Sequence, residues 1–300
     1  MRPGATDYGT GRPPTAIVGG DASSEPNAWV YEIRIAERRS FALGRAPERN
    51  GALHETIGLL AVIAAAFLFA GFVKGVIGLG LPTVSIGVLG LWMTPAEAAA
   101  IVLLPAIVTN VWQCTHGGGF FSLLRRMAPL LLGIALGTLL GALFLPSGNS
   151  GEATTLLGAV LALYAALGLL NIHFSVPPEL EPWLGPVMGT VNGALTVSTG
   201  VFAIPNVPYI HSLNFNRDKL VQALGLSFVA STVTMAAALG FNGTLHADLL
   251  LPSGIALVAA LAGMPLGRLV RRRVKAETFR FWFFVGLLLL GLHLALHNVI

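Results

Sequence analysis

Three hundred residues that are 54% apolar and only 11% charged, with a mean hydropathy of +0.75, exclude a chain that presents its surface to water. The net charge of +4 does not mark a nucleic-acid partner: most basic residues beyond position 50 cluster in short loops beside apolar segments, where they orient a membrane protein. A single cysteine, Cys114, leaves no intramolecular disulfide and no thiolate metal cluster to consider.

Residues 1–50 carry seven Arg and six acidic residues, against eleven basic and eight acidic in the remaining 250, so only this tail has a soluble composition. It is rich in Gly, Pro, Ser and Arg and lacks the apolar core of a signal peptide; no structure is assigned to it. Arg38-Arg39-Ser40-Phe41-Ala42-Leu43 has the form of a twin-arginine export signal, but the next segment is too apolar and too uninterrupted for a cleaved one. A start codon set too far upstream is a competing account of the tail, and N-terminal sequencing of the purified protein decides it.

A spanning helix needs about 20 predominantly apolar residues. Ten candidate segments follow in two sets of five: 57–78, 81–93, 96–115, 127–145 and 152–171, then 183–199, 201–213, 218–240, 249–268 and 279–297. The chain thus divides into a tail (1–50), a first membrane repeat (51–175) and a second (176–300). Gly71-Phe72-Val73-Lys74-Gly75 and Gly189-Thr190-Val191-Asn192-Gly193 mark the opening of the two copies, and Gly133-Ile134-Ala135-Leu136 and Gly254-Ile255-Ala256-Leu257 read as a second match in register. The second member of each set is short and broken, by Leu81-Pro82-Thr83-Val84-Ser85 and by Ala203-Ile204-Pro205-Asn206-Val207-Pro208. Lipid tolerates the backbone groups freed by Pro and Gly only where protein or a cavity covers them, so both breaks are expected inside.

Five crossings per set insert the second copy upside down about a pseudo-two-fold axis in the membrane plane; re-entrant short segments would leave the copies parallel. With ten crossings, Arg125-Arg126, Arg217 with Lys219, and Arg268, Arg271 to Arg273 and Lys275 share one side, the cytoplasm by the positive-inside rule. Loops 146–152 and 241–248 and both termini then face outward. The expected fold class is an all-α integral membrane protein of two inverted repeats of about five hydrophobic segments each, with short or broken helices at the repeat interface. The Arg-bearing tail outside and Glu179-Leu180-Glu181 inside run against this orientation, but acidic residues count little and long tails translocate regardless of charge.

Lys74 is the sharpest residue, because a charge deep in a spanning helix costs about 3 kcal/mol or more unless paired or wetted. Two readings stand: an ammonium that attracts a small acid, or a side chain near enough to its helix end to snorkel. Beyond it, Gly75, Gly78 and Gly80 lead to Pro82, Thr83 and Ser85, so one helix ends at the glycines and another begins near Thr83, its free amides and hydroxyls forming an anion cradle. The second copy supplies Asn192, Thr196, Ser198, Thr199 and Gly200, then Pro205 and Asn206. Against this, Gly71/Gly75, Gly137/Gly141, Gly189/Gly193 and Gly263/Gly267 have the four-residue spacing that lets helices approach closely. Asn110 and Gln113 in the third segment, and Gln222, Ser227, Ser231 and Thr232 in the eighth, have either a neighbouring helix or a substrate as partner.

Glu97 follows Thr94-Pro95 at a helix start, where its charge suits the helix dipole; it is also the candidate for proton coupling. Tyr209, His211 and the Trp residues are expected at membrane interfaces. His293 and His297 have metal-pair spacing without a third ligand nearby, so no metal is expected. No P-loop, GxSxG, HExxH or paired intramembrane carboxylates occur, and neither enzymatic activity nor a cofactor is expected.

Gly71 to Pro82 (GFVKGVIGLGLP), Thr94-Pro95-Ala96-Glu97-Ala98, and Thr199 through Tyr209 followed by Asp218 to Leu226 (DKLVQALGL) resemble the sulfite exporter TauE/SafE family of bacterial membrane permeases, over residues 55–298. Leu81-Pro82 stands where a run of glycines is common in that family. The resemblance implies that two Gly-rich blocks face each other around the substrate, here Lys74, Gly78, Gly80 and Pro82 with Asn192, Thr199, Gly200 and Pro205. It implies movement of small sulfur-containing or organic anions, such as sulfite, sulfoacetate or sulfonates, across the bacterial inner membrane, coupled to an ion gradient. The expected mechanism is alternating access as one repeat rocks against the other. Expected partners are a small anionic substrate, membrane lipid, a proton or other coupling ion and a second copy in a homodimer, with no nucleic acid. The competing functions are a membrane scaffold or assembly protein, and a cation or metal transporter.

Overall fold

Glycine and proline punctuate this chain more than polarity does, because an apolar helix ends inside lipid only where its backbone is made to turn. The computed structural model describes residues 49–115, 118–144, 150–170, 175–271 and 273–296, and all but the end of the expected tail, like His297, lies outside them. The described residues form ten α-helices: α1 (Arg49–Ile77), α2 (Leu81–Leu89), α3 (Pro95–Thr115), α4 (Phe120–Phe144), α5 (Ser150–Leu170), α6 (Glu181–Thr199), α7 (Asn206–Ser212), α8 (Arg217–Phe241), α9 (Leu250–Arg271) and α10 (Ala276–Leu296). A 3-10 turn, Ala247–Leu249, precedes α9. Each helix answers one expected segment, and no strand occurs among the described residues. The largest boundary differences are at α1, which starts eight residues ahead of the expected segment, and at α4, which starts seven ahead at Phe120 and takes Arg125 and Arg126 into its first two turns.

Seven helices are long and apolar enough to cross a membrane, and α6, which carries Glu181, Asn192 and four hydroxyl side chains, is not among them. Helices α2 and α7 have nine and seven residues. At 1.5 Å per residue they rise only about 14 and 11 Å, less than half of a hydrocarbon core of about 30 Å. Both sit inside, as expected: every residue of α2 except Val88 is buried. Most of the large exposed apolar side chains lie on the long helices, with Phe121 82% and Leu132 71% exposed. Such a surface is matched to lipid rather than water.

The most extensive pairings cross between the two sets: α4 with α6, α1 with α9, α5 with α10 and α3 with α8. Glycine makes the first two. A β-carbon at Gly71 or Gly75 would fall inside the backbone of Ala260 or Met264, and one at Gly263 or Gly267 inside that of Leu68 or Phe72. Gly133 and Gly137 meet Pro186 and Thr190 in the same way, while Gly189 and Gly193 meet Leu130 and Ile134. Residue numbers rise together along both seams, so α1 runs parallel to α9 and α4 parallel to α6. Helices α5 and α10 are antiparallel: Gly158 lies against Gly291, Leu294 and Ala295, and Gly168 against Phe284.

These seams correct one sequence match. A β-carbon at Gly254 would meet nothing, whereas Gly263 occupies in the α1–α9 seam the place that Gly133 holds in the α4–α6 seam. Gly133 and Gly254 are therefore not equivalent: the second copy has a longer third helix, α8 with 25 residues against 21 in α3, and a longer link, including the 3-10 turn, between its third and fourth helices.

The same contacts gather the basic groups at one end of the bundle. Lys219, at the start of α8, donates to the carbonyls of Gly118 and, at 3.3 Å, Gly119 just before α4. Arg126 of α4 makes a two-pronged pair with Glu181 at the start of α6, at 2.9 and 2.6 Å. The antiparallel α5–α10 pair sets the end of α9, with Arg268 and Arg271, at this end as well.

Candidate functional site

Lys74 stands one turn from the end of α1 and is 4% exposed. Its ammonium donates to Thr109 Oγ1 at 3.0 Å and to Asn110 Oδ1, both on α3. The side chain turns into the bundle, so the snorkelling alternative does not describe it. Thr109 in turn donates its proton to the Pro105 carbonyl at 2.8 Å, which leaves an oxygen lone pair for the ammonium. Both partners are neutral, and no described carboxylate pairs with Lys74. An ammonium has three protons, and two are taken. Asn110, itself fully buried, gives Lys74 its oxygen and keeps its Nδ2 without a partner.

Gly78 and Gly80 turn the chain from α1 into α2 with φ of 90° and 98°, a left-handed backbone that an L side chain rarely adopts. A β-carbon at Gly78 would meet nothing within 4 Å, so conformation rather than space demands glycine there. The cradle expected at the start of α2 is thinner than the sequence implied. Pro82, at its second position, has no N–H to offer, and Ser85 donates its hydroxyl back to the Leu81 and Pro82 carbonyls at 2.6 and 3.2 Å. Thr83 is buried beside them.

In the second copy α6 ends at Gly200, with φ of 73° and its N–H on the Thr196 carbonyl at 2.7 Å. The chain then doubles back along α6. Asn192, the counterpart of Lys74, donates to the carbonyls of Phe202 at 3.1 Å and Ile204 at 3.0 Å, and Ser231 of α8 donates to its oxygen at 3.4 Å. Thr196 donates to the Val201 carbonyl, Ser198 to Ala194 and Thr199 to Leu195. The first of these protons spans the break and the other two return to carbonyls one turn back on α6, so all three are used within the chain. After Pro205, Asn206 donates to Phe202 at 3.4 Å and to Ser227 of α8 at 3.1 Å, and its Oδ1 is buried without a partner.

The two breaks approach one another, since a β-carbon on Gly200 would press on Ile86 of α2 and touch Ala99 of α3. The third and eighth segments also meet, as their glutamines reciprocate: Gln113 donates to the Val221 carbonyl and Gln222 to that of Cys114, each at 3.0 Å. Glu97 closes a capping box, accepting from Thr94 N and Oγ1 at 3.0 and 2.9 Å while its own N–H donates to Thr94 Oγ1. Tyr209 is a correction: it is 4% exposed, and its hydroxyl donates to the Glu181 carbonyl, so it is interior and not an interface marker. Trp92, Trp112, Trp183 and Trp282 are exposed.

Thr109 was not legible as the partner of Lys74; the one available signal was a Thr-Asn pair four residues beyond a proline inside an apolar span. The Arg126–Glu181 pair was equally hidden, because the residues lie far apart in sequence and only the parallel α4–α6 seam joins them.

No curated protein and no solved structure matches the chain. The model of one family, Sulfite exporter TauE/SafE, matches residues 63–294, a span that includes Lys74, Asn110, Asn192 and both breaks. The chain therefore belongs to the sulfite exporter TauE/SafE family and is a multi-pass membrane protein of a permease family.

Proposed function

We propose that this protein is a secondary transporter of small anions, with sulfite, sulfonates and related organosulfur anions as the substrate class, acting in the bacterial inner membrane. The observation that carries the reading is the buried Lys74 ammonium, held by two neutral partners beside an amide group with nothing to bind. A charge at such a place costs about 3 kcal/mol. Two hydrogen bonds from neutral partners offset that cost but leave the charge itself uncompensated, and a negative solute balances it. A scaffold built on the glycine seams alone gains nothing from it. The organosulfur class rests on the family.

Two inverted repeats are the topology we favour. Supporting it, the fifth helices of the two sets, α5 and α10, pack antiparallel, and the first helix of each set packs parallel to the fourth of the other. The shared end of the basic loops favours that end as cytoplasmic and both termini as external. Glu181, which ran against this orientation as an isolated acid, is paired there with Arg126.

Alternating access is the mechanism, with one change from the expected motion. Rocking the first repeat against the second would part α1 from α9 and α4 from α6, whose backbones meet at paired glycines with no room for a β-carbon. In our reading the moving bodies are those cross-repeat pairs, shifting about the α3–α8 seam. Glu97 remains the coupling candidate only secondarily, its carboxylate being used in a cap.

Flux into proteoliposomes across a panel of sulfur oxyanions and carboxylates, with and without a pH gradient, tests the proposal. Saturable flux of one anion class, lost in Lys74→Ala, is the expected result. A folded protein that moves no small anion returns the scaffold reading.

A further inference from the structure

The geometry points to a solute that is an oxyanion at one end and a hydrogen-bond donor at the other, with Asn110 and Asn206 each reading one end. This rests on the anion reading and narrows it. Buried polar atoms in folded proteins are almost always paired, and those that are not call for a partner absent from the chain itself. Among the described residues two buried side-chain atoms lack one, Asn110 Nδ2 and Asn206 Oδ1. They are of opposite sense, one a donor and one an acceptor. Neither is an amide placed the wrong way round. Asn110 must turn its oxygen to the Lys74 ammonium, which cannot accept, and Asn206 must turn its nitrogen to the Phe202 carbonyl, which cannot donate.

Both asparagines also stand at one level of the bundle. Helices α3 and α8 are antiparallel, with Gln113 and Cys114 opposite Val221, Gln222 and Gly225. One turn back along α3 is Asn110, and one turn on along α8 is Ser227, the residue that holds Asn206. The remaining Lys74 proton and the Asn110 amide supply donors for anionic oxygens. Asn206 Oδ1 supplies an acceptor for a hydroxyl or N–H on the same solute. Plain sulfonates and sulfate dianion satisfy the first requirement and fail the second; hydroxylated sulfonates and protonated oxyanions satisfy both.

Ethanesulfonate and hydroxymethanesulfonate separate the two, since they share charge and near-equal size and differ by a methyl against a hydroxyl. Calorimetric titration of the full chain in nanodiscs is expected to show hydroxymethanesulfonate binding roughly tenfold more tightly, the worth of one buried hydrogen bond. Asn206→Ala is expected to collapse that ratio to near one, whereas a merely structural role would weaken both ligands alike and keep the ratio. Asn110→Ala is expected to weaken both. If Asn206→Ala does not fold by gel filtration, the ratio in the unaltered protein decides alone. Equal affinity for the two ligands, or a ratio that survives Asn206→Ala, overturns the inference and leaves anion transport standing. Binding of neither overturns both.

Discussion

Replacing Lys74 with Met keeps an unbranched side chain only one atom shorter and removes its charge, which separates a structural role from a binding one. Losing the ammonium relieves about 3 kcal/mol of intramembrane charge. It also removes two hydrogen bonds from a charged donor, each about 1.5–3 kcal/mol, and leaves the Asn110 oxygen unpaired. The two bonds sum to about 3–6 kcal/mol against about 3 relieved, so Lys74→Met should melt a few degrees below the parent in detergent but remain folded. Anion affinity has no such compensation. The lost charge-assisted bond to the solute, about 1.5–3 kcal/mol, corresponds to a fall of roughly 10- to 150-fold. Titration of the anion that the parent transports, alongside thermal unfolding of both proteins, provides the comparison. A folded Lys74→Met with unaltered affinity refutes the reasoning, as does a variant whose lost binding is explained by lost fold.

The glycine seams make a paired prediction. Gly137→Val, whose β-carbon would enter the Thr190 backbone, should cost at least about 3 kcal/mol or prevent a monodisperse gel-filtration peak, while Gly254→Ala, in open space, should be neutral or stabilising by up to about 1 kcal/mol. Gly78→Ala meets no atom yet imposes a side chain on a left-handed backbone, so it should lower stability by about 1–2 kcal/mol, and Gly78→Asn by less. In a Cys114→Ala background, Ser122→Cys and Val274→Cys should both react with an impermeant maleimide from the same side of the membrane, because α4 begins and α9 ends at one end of the bundle. Labelling from opposite sides would favour parallel copies with re-entrant short segments.

The helices were legible because a bilayer writes its thickness into the chain, and all ten segments emerge with ends shifted by a few residues. The breaks were legible through Pro82, Pro205 and the glycines around them. Their interior geometry was not, since a serine or threonine carries no sign of whether its proton goes to a substrate or, as with Ser85, Thr196 and Thr199, to a backbone carbonyl a few residues away. Lys74 stood out as a charge in an apolar run, whereas Thr109 did not, because a lone hydroxyl costs a helix little. The pairing of α1 with α9 and of α4 with α6 was half visible: spacing identified the glycines, but nothing local tells a glycine which helix it will meet. The false match of Gly133 to Gly254 has the same origin, since four residues of similar type recur easily in a chain this rich in Gly, Ala and Leu.

Crystals of the protein soaked with selenite, read by anomalous scattering at the selenium edge, locate the anion with no assumption about transport. The account predicts a peak that places selenite oxygens about 3 Å from both Lys74 Nζ and Asn110 Nδ2. A well-occupied peak elsewhere in the bundle with those two groups unliganded, or none at saturating selenite, contradicts it.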